Sequence, residues 1–314
     1  MFENIGDLRN YWHVIGMSSE LNKGCSLNRK IYGVPLIIWR SNDSNIYALQ
    51  DVCAHKKAPL ELLDYSKNHV RCQYHGWEYN CKGELISIPS SKQLAPKMKC
   101  KVANYQVCEQ DGLIWILLCD DIKEVDKNSI QTQIKGKGWS HGFASMVFET
   151  SEELLIENFM DATHTAVVHN KIIRSDDKKS IHEVEVSHTS EGVMVKYAPN
   201  KVKVGLGLNL MLGRNYEICH TDEFLCPNLV RVNYMFNQNH RFQAFISCTP
   251  LQEGKTLAFI RLSFKFGLFN PLLKVIMPYY TNKVLKQDFE ITKSQYSNQQ
   301  IFKSIKDNHI NCDN

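Results

Sequence analysis

The sequence predicts an α+β protein in two parts, a small all-β domain followed by a larger one in which a long helix covers a sheet. Three observations carry that expectation. Between residues 11 and 119, short apolar runs alternate with turn signals and no helical period is sustained. Ser151 to about His169, and roughly Tyr280 to Ile305, place apolar residues at helical spacing, with strand-like runs between them. Asp120 to Lys137 is polar and densely charged, the composition of a solvated connection. The domains are therefore set at residues 1–119 and 138–314, with 120–137 as the linker.

A chain of 314 residues is long enough for two separate cores, and 43% apolar with 22% charged residues is ordinary for a folded protein. The formal charge of +4 comes from scattered Lys and Arg, with no basic stripe of the kind that binds nucleic acid. Eleven cysteines are an odd number, and several lie in apolar runs such as Gly112 to Cys119. Buried thiols in a reducing compartment, the cytoplasm, account for them better than disulfides do. Met1 to Asp7 carries two acids and no long apolar region, so no secretory signal is expected. No uncharged apolar run is long enough for a membrane span. The nearest, Leu268 to Tyr280, is interrupted by Asn270, Pro271, Lys274 and Pro278 and is expected to cap a core or line an entrance, with membrane contact as the lesser alternative.

In the first part, Tyr11 to Ile15 and Val34 to Arg40 read as strands, with turns at Asn22-Lys23-Gly24 and Ser41-Asn42-Asp43. Ile46 to Leu49 leads into Cys53-Ala54-His55. Val70-Arg71 leads into Cys72-Gln73-Tyr74-His75, and Trp77-Glu78-Tyr79 leaves it toward a Lys82-Gly83 turn. Ile114 to Leu118 closes the domain as a near-continuous apolar strand. Each Cys/His pair thus sits in a loop at a strand end, where a sheet holds it rigid and backbone N–H groups can face sulfur. Two thiolates and two imidazoles in this order suit a [2Fe–2S] cluster with sulfur ligands on one iron and histidines on the other. Neutral imidazoles leave such a cluster less negative, so it accepts an electron more readily than an all-cysteine one. Zinc also takes two Cys and two His, but finger-type sites pair the cysteines together and the histidines together, whereas each pair here is mixed.

In the second part the expected strands are Ile181 to Val186, Val193 to Tyr197, Val230 to Phe236, Phe242 to Cys248 and Thr256 to Phe266, after a polar loop at Arg174 to Lys179. On the first helix, Asp161 and His164 are three apart and share a face. His169 lies about 140° from His164 on ideal geometry. Both reach one metal only if the helix ends, tightens or bulges at Ala166-Val167-Val168, where the β-branched pair disfavours helix. Glu157 shares the same general face and competes as a ligand. On the last helix Asp288 falls between Val284 and Ile291, with Lys286, Glu290 and Lys293 opposite. A carboxylate on an apolar face needs a partner or a metal. Two histidines and one carboxylate on one face of Fe(II) leave positions open for O2 and substrate. The competing readings are a helix-capping His164, an exposed His169 and an Asp288 paired with a buried His or Arg.

Cys53-Ala54-His55-Lys56 with Cys72-Gln73-Tyr74-His75-Gly76-Trp77 resembles the signature of a Rieske domain. Asn158-Phe159-Met160-Asp161-Ala162-Thr163-His164, followed by His169, resembles the catalytic signature of the Rieske non-haem iron oxygenases. The resemblance runs from Tyr11-Trp12 to the helix holding Asp288, and the layout is similar to the compact vanillate and dicamba demethylase-like members. It implies a Rieske [2Fe–2S] domain joined to a helix-grip (START-like) catalytic domain. The cluster ligands it implies are Cys53, His55, Cys72 and His75, and the mononuclear Fe(II) ligands are His164, His169 and Asp288. Asp161 matches the bridging aspartate, which hydrogen-bonds His164 and, across a subunit boundary in a head-to-tail homotrimer, a cluster histidine matching His75. Asn158 matches a position near the iron. Ala54 departs from the usual proline and Lys56 from a common arginine, changes expected to affect loop stiffness or docking and not the cluster.

The activity implied is that of a terminal oxygenase that hydroxylates or oxidatively demethylates a small, partly apolar substrate. Ring dihydroxylation, or electron transfer without oxygenation, are the alternatives. No Gly-x-Gly-x-x-Gly unit and no second four-cysteine motif is present. The resemblance implies that electrons from NAD(P)H arrive through a separate reductase, with or without a ferredoxin. Lys56 and Lys57 beside His55 either help dock an acidic ferredoxin surface or are simply solvated. Pocket walls are expected from Val204 to Met211 and Leu229 to Phe236, and the alternating Leu206, Leu208, Leu210 and Leu212 give one strongly apolar strand face.

Overall fold

The computed structural model describes residues 2–64, 68–91, 93–119, 130, 134, 136–169, 184–200, 218–236 and 239–305. The chain forms two compact units, Met1–Gln133 with Leu251–Glu253, and Ile134–Pro250 with Gly254–Asn314. Most of the expected linker, the polar loop at 174–179, the leucine-rich stretch at 204–212 and Cys312 lie outside the described residues.

The first unit is all β. Strands β1 (Trp12–Met17), β2 (Ser26–Ile31), β3 (Val34–Arg40) and β4 (Ile46–Gln50) come first. Then follow β5 (Leu60–Asp64), β6 (His69–Cys72), β7 (Glu78–Asn80) and β8 (Leu85–Ser87), and finally β9 (Asn104–Gln110) and β10 (Leu113–Leu117). One six-stranded sheet has the order β1-β10-β9-β4-β3-β2, and a four-stranded meander runs β5-β6-β7-β8. All five residues of β10 are buried, which is why Leu113 to Leu117 reads as an unbroken apolar run. Two hairpins in the larger sheet are closed by two-residue turns, Tyr32-Gly33 and Asp111-Gly112, with φ of 48° and 79°, and 56° and 79°. That pair of positive φ values is the type I′ turn, which matches the twist of the flanking strands and favours glycine at its second position.

The meander carries the first motif. Cys53 and His55 lie in the loop between β4 and β5, and Cys72 to Trp77 span the connection from β6 to β7. Beneath them Trp39, Leu49, Leu60, Val70 and Tyr79 form a packed apolar layer with the two cysteines.

The second unit contains β11 (Ser140–Phe148), α1 (Glu152–Met160), β12 (Val184–His188), β13 (Gly192–Asn200), β14 (Ile218–Leu225), β15 (Leu229–Met235), β16 (Arg241–Gln252), β17 (Lys255–Lys265) and α2 (Asn270–Ile301). The strands form one sheet in the order β11-β17-β16-β15-β14-β13-β12. Ala258, Ile260, Leu262 and Phe264 of β17 pack with Leu155 of α1 and Leu273 and Leu285 of α2 in a single core. A sheet gripping one long helix is the arrangement the composition and periodicity predict.

Four local expectations are corrected. The first helix does not continue to His169: α1 stops at Met160, and His164–Ala166 form a separate 3-10 turn. The last helix begins at Asn270, nearly three turns earlier than expected, and keeps Pro278 inside it. Its buried face runs through Leu285, Asp288 and Thr292, while Ile291 is exposed, so Asp288 does not sit beside Ile291 on an apolar face. The Leu268 to Tyr280 segment contributes Leu273 to the core but presents most of its apolar side chains to solvent, so it is not a core cap.

Candidate metal centres

The two Cys/His loops are built alike. Lys57 N–H donates to the Cys53 carbonyl at 2.9 Å, and Gly76 N–H donates to the Cys72 carbonyl at 3.0 Å. Both donors sit four residues after the cysteine, and both have left-handed φ, 59° at Lys57 and 71° at Gly76. Glycine takes that conformation freely, whereas lysine is held there by the closure of the loop. The two cysteines are buried and the two histidines exposed, so each loop turns its sulfur inward and its imidazole outward. The rings of His55 and His75 lie 4.7 Å apart, and Trp77 stacks flat on His55 at 4.6 Å with an interplanar angle of 4°.

Tyr79 supports the sulfur side. Its hydroxyl oxygen accepts from Ala54 N–H at 3.1 Å and lies 3.2 Å from Cys53 Sγ. The hydroxyl thus bridges the Ala54 amide and the sulfur, and toward a metal-bound thiolate, which can only accept, it would be the donor. Proline at position 54 would lack the N–H, so the departure from the usual residue adds a contact. Tyr74 N–H approaches Cys72 Sγ at 3.4 Å. Burial pushes the Cys53 thiol up, opposed by the Tyr79 hydroxyl and the His55 amide, so iron binding must displace a proton there. Two thiolates facing inward and two imidazoles facing outward fit a cluster with sulfur ligands on one iron and histidines on the other.

In the second unit, His164, His169 and Asp288 do close on one point. Their ligand atoms lie within 4.8 Å of one another. His169 Nε2 is 2.9 Å and His164 Nε2 3.5 Å from Asp288 Oδ1, and the two Nε2 atoms are 3.3 Å apart. His169 and Asp288 are almost fully buried. The break after α1 makes this possible: Asp161 leaves the helix with ψ of 104°, and the short turn that follows brings both imidazoles to the same side.

The proton positions favour a cation here. His169 Nδ1 lies 2.9 Å from Gln287 Oε1 and, as a donor to that carbonyl-type oxygen, leaves Nε2 with a lone pair. That lone pair faces Asp288 Oδ1, which is buried without a hydrogen bond. Two acceptors at 2.9 Å repel unless a proton or metal ion lies between them. Burial opposes charge on Asp288, yet the two histidines hold its carboxyl below the usual range. Burial likewise opposes charge on His164, but Asp161 and Asp288 hold its imidazole up at about 9. The residues fit a facial His, His, carboxylate iron site.

Asp161 occupies a different place from the shared helix face expected of it. Its Oδ1 accepts from Thr163 N–H and Thr163 Oγ1–H at 2.6 Å each, and its Oδ2 accepts from His164 N–H at 3.3 Å. The carboxylate therefore caps the turn that carries His164. Oδ2 is also 3.7 Å from His164 Nδ1, too long for a hydrogen bond but close enough to favour the charged ring. Burial raises the Asp161 carboxyl, and His164 and Thr163 more than offset it, leaving it below the usual range. Asn158 Nδ2 is buried without a partner, and Glu157 is exposed and outside the ligand group.

Gln287 as the group that fixes His169 was missed by sequence reasoning, because its neighbour Asp288 drew the inference. It also lines an open groove of about 790 Å³ with Met146, Val147, Val168 and Ile291. A second feature was missed altogether. Across β13, β14 and β15 the rings of Tyr197, His220 and Tyr234 stack at 4.5 Å and 4.3 Å. His220 Nε2 lies 2.8 Å from Asp222 Oδ1, and Tyr197 OH donates to the Met160 carbonyl at 3.3 Å, next to Asp161. The paired polar residues of β14 hid a buried strand.

Two family models match the chain: Rieske [2Fe-2S] domain over residues 11–106, and Vanillate O-demethylase oxygenase C-terminal domain over residues 148–314. The chain is 29% identical over 178 residues to a putative toluene-4-sulfonate monooxygenase system iron-sulfur subunit of Comamonas testosteroni, covering 56% of this chain and 51% of that one. It is 30% identical over 176 residues to the oxygenase component of dicamba O-demethylase from Stenotrophomonas maltophilia, covering 54% and 50%. It is 22% identical over 293 residues to chlorophyllide a oxygenase of Oryza sativa subsp. japonica, covering 92% and 51%. The chain spans about half the length of these relatives. A crystal structure of dicamba monooxygenase bound to dicamba has the same fold, with a TM-score of 0.83 at 21% identity over 98% of this chain and 93% of that one.

Proposed function

The chain belongs to the vanillate O-demethylase-type oxygenases that carry a Rieske domain, and from that premise we propose that it is the terminal oxygenase of a multi-component system. The observation that carries this reading is the convergence of His164, His169 and Asp288 on one buried point. In this reading those three residues hold one Fe(II), and Cys53, His55, Cys72 and His75 hold one [2Fe–2S] cluster. When bound, the iron supplies an O2-activating centre and the cluster supplies electrons one at a time.

The chain's own residues set the conditions for that chemistry. Gln287 fixes the His169 tautomer so that Nε2 points at the metal position. Asp161 holds the turn bearing His164 and keeps a negative charge beside its Nδ1. We place Asp161 as the relay toward a cluster histidine of another copy in a homotrimer, and Asn158, with its unpartnered Nδ2, near the position the iron would take. The substrate in this reading is small and partly apolar.

Relatives named as a toluene-4-sulfonate monooxygenase subunit and a dicamba O-demethylase component support monooxygenation or oxidative demethylation over ring dihydroxylation. One oxygen atom then enters the substrate and the other leaves as water, with two electrons and two protons supplied from outside. A separate reductase, with or without a ferredoxin, would pass those electrons from NAD(P)H. Exposed Lys56 and Lys57 beside His55 suit docking of an acidic carrier. The ten described cysteines are all free, which suits a reducing compartment such as the cytoplasm. Domain limits of 1–119 and 138–314 are retained as part of this proposal.

Metal analysis and EPR of the dithionite-reduced protein test the reading. Expected are a cluster signal and a separate mononuclear iron, the latter lost in His164→Ala with the cluster retained, together with substrate-dependent O2 uptake when a reductase is supplied. A cluster without any second iron after anaerobic iron loading would instead make the chain an electron carrier.

A further inference from the structure

Where α1 ends, one hydroxyl meets both peptide groups that flank Asp161. The last carbonyls of a helix have no partner within it, and Met160 is the last residue of α1. Asp161 then takes ψ of 104°, which turns Ala162 N–H away from the helix as well. Met160 and Ala162 are both buried, so these two groups need partners within the protein. Tyr197 supplies them: its hydroxyl donates to the Met160 carbonyl at 3.3 Å and accepts from Ala162 N–H.

Tyr197 is itself held in place. Asp222 is 1% exposed, and its carboxylate is a second acceptor for the phenolic proton. Its Oδ1 lies 2.8 Å from His220 Nε2. His220 pairs directly with Tyr197 on one side and Tyr234 on the other, and lies flat between their rings at interplanar angles of 13° and 12°. The imidazole is thereby fixed in plane and keeps Asp222 against the Tyr197 hydroxyl. A buried carboxylate paired with a histidine adds little stability over an apolar side chain of the same size. Here it supplies a fixed direction for the hydroxyl that closes the end of α1. The Asp161 carboxylate bonds the amides of Thr163 and His164 beyond it, while Tyr197 bonds the peptide groups around it. Side chain and backbone of one residue are thus tied from two directions.

We propose that Tyr197 is a positioning residue for the centre formed by His164, His169 and Asp288. By clamping the peptide groups on both sides of Asp161, it fixes the direction in which the turn carries His164 toward the other two ligands. This role rests on the iron-binding reading given above.

Co(II) titration of the full-chain apoprotein, with amide hydrogen exchange of the same samples, tests it. Tyr197→Phe keeps the ring and its stacking and removes only the hydroxyl. Expected are roughly tenfold faster exchange across residues 160–164, for the loss of buried hydrogen bonds, and Co(II) affinity lower by at least about tenfold. Asp222→Asn, which leaves an acceptor without charge, should shift both in the same direction and by no more than that. Phe259→Leu is the control for stability alone. Phe259 is buried on the opposite face of the sheet from Ala258 and Ile260, so its replacement should lower the thermal melt and leave Co(II) affinity unchanged. Wild-type apoprotein that takes up no Co(II) overturns the iron reading, and the role of Tyr197 with it. Wild type that binds Co(II) while Tyr197→Phe binds it equally well overturns the role of Tyr197 alone. So does an equal loss of affinity in Phe259→Leu, or a larger loss in Asp222→Asn than in Tyr197→Phe.

Discussion

Gln287 Oε1 lies 2.9 Å from His169 Nδ1, so the residue immediately before one proposed iron ligand fixes the ring of another. Adjacent positions on a helix point about 100° apart, and here that divergence is used. Asp288 faces the metal position, while Gln287 reaches behind the imidazole. Gln287→Leu leaves the Nδ1 proton without its acceptor and releases the tautomer. Metal affinity, measured by Co(II) titration of the apoprotein, should fall roughly ten- to a hundredfold, with Gln287→Glu restoring most of it. Equal affinity in all three proteins would remove the positioning claim.

Asp161→Asn tests the second supporting group. An asparagine keeps the acceptor for Thr163 but offers no oxygen to His164 N–H and no charge to the ring. Iron and cluster content should hold, while turnover falls by roughly a hundredfold. Turnover near the wild-type rate with full iron would count against any relay through this carboxylate.

On the sulfur side, Tyr79→Phe removes the hydroxyl that lies 3.2 Å from Cys53 Sγ. Hydrogen bonds to cluster sulfurs stabilise the reduced, more negative state, so the midpoint potential should drop. Ala54→Pro should lower it less, because the hydroxyl survives but loses the backbone donor that aims it. Voltammetry of the two variants reads both shifts, and a potential unaltered in Tyr79→Phe would show that the contact does not tune the centre.

His13 gives the first unit a pH dependence of its own. It is fully buried, and burial lowers its pKa to about 4, opposed by its hydrogen bond to the Leu8 carbonyl. The Nε2 proton serves that bond at 3.0 Å, and Nδ1 has no partner. The folded value lies below the unfolded one of about 6.5, so the contribution is complete above that pH and is lost as pH falls toward 4. The loss reaches on the order of 3 kcal/mol. Denaturant midpoints should fall more steeply with acid in wild type than in His13→Gln, whose amide keeps a donor and does not titrate. Parallel slopes would place the acid sensitivity elsewhere.

How far the sequence revealed all this depends on which residues carry two meanings. The cluster loops were legible because Cys and His at those spacings have few other uses. His164, His169 and Asp288 were legible as a set, but the geometry between them was not. Asp161 was legible as a partner of His164, but its helix-ending role was not: its short carboxylate bonds the amides of Thr163 and His164. The strand Ile218–Leu225 was overlooked because His220, Thr221, Asp222 and Glu223 interrupt its apolar pattern, yet His220 and Asp222 satisfy each other when buried. Asn104–Gln110 was overlooked although Asp111-Gly112 announces its hairpin. Periodicity located the helix from Asn270 only in part, since two opposed apolar faces blur the contrast on which a helical period depends.

The two centres draw on very different lengths of chain. The sulfur and imidazole ligands of the first lie in neighbouring loops of one meander, whereas the second needs a turn after α1 and a helix near the other end. A chain that is clipped, heat-damaged or only partly matured can therefore keep its brown colour while having nowhere to seat the other metal. For this protein, absorbance is a measure of yield, and occupancy of the His164, His169 and Asp288 site is the measure of competence.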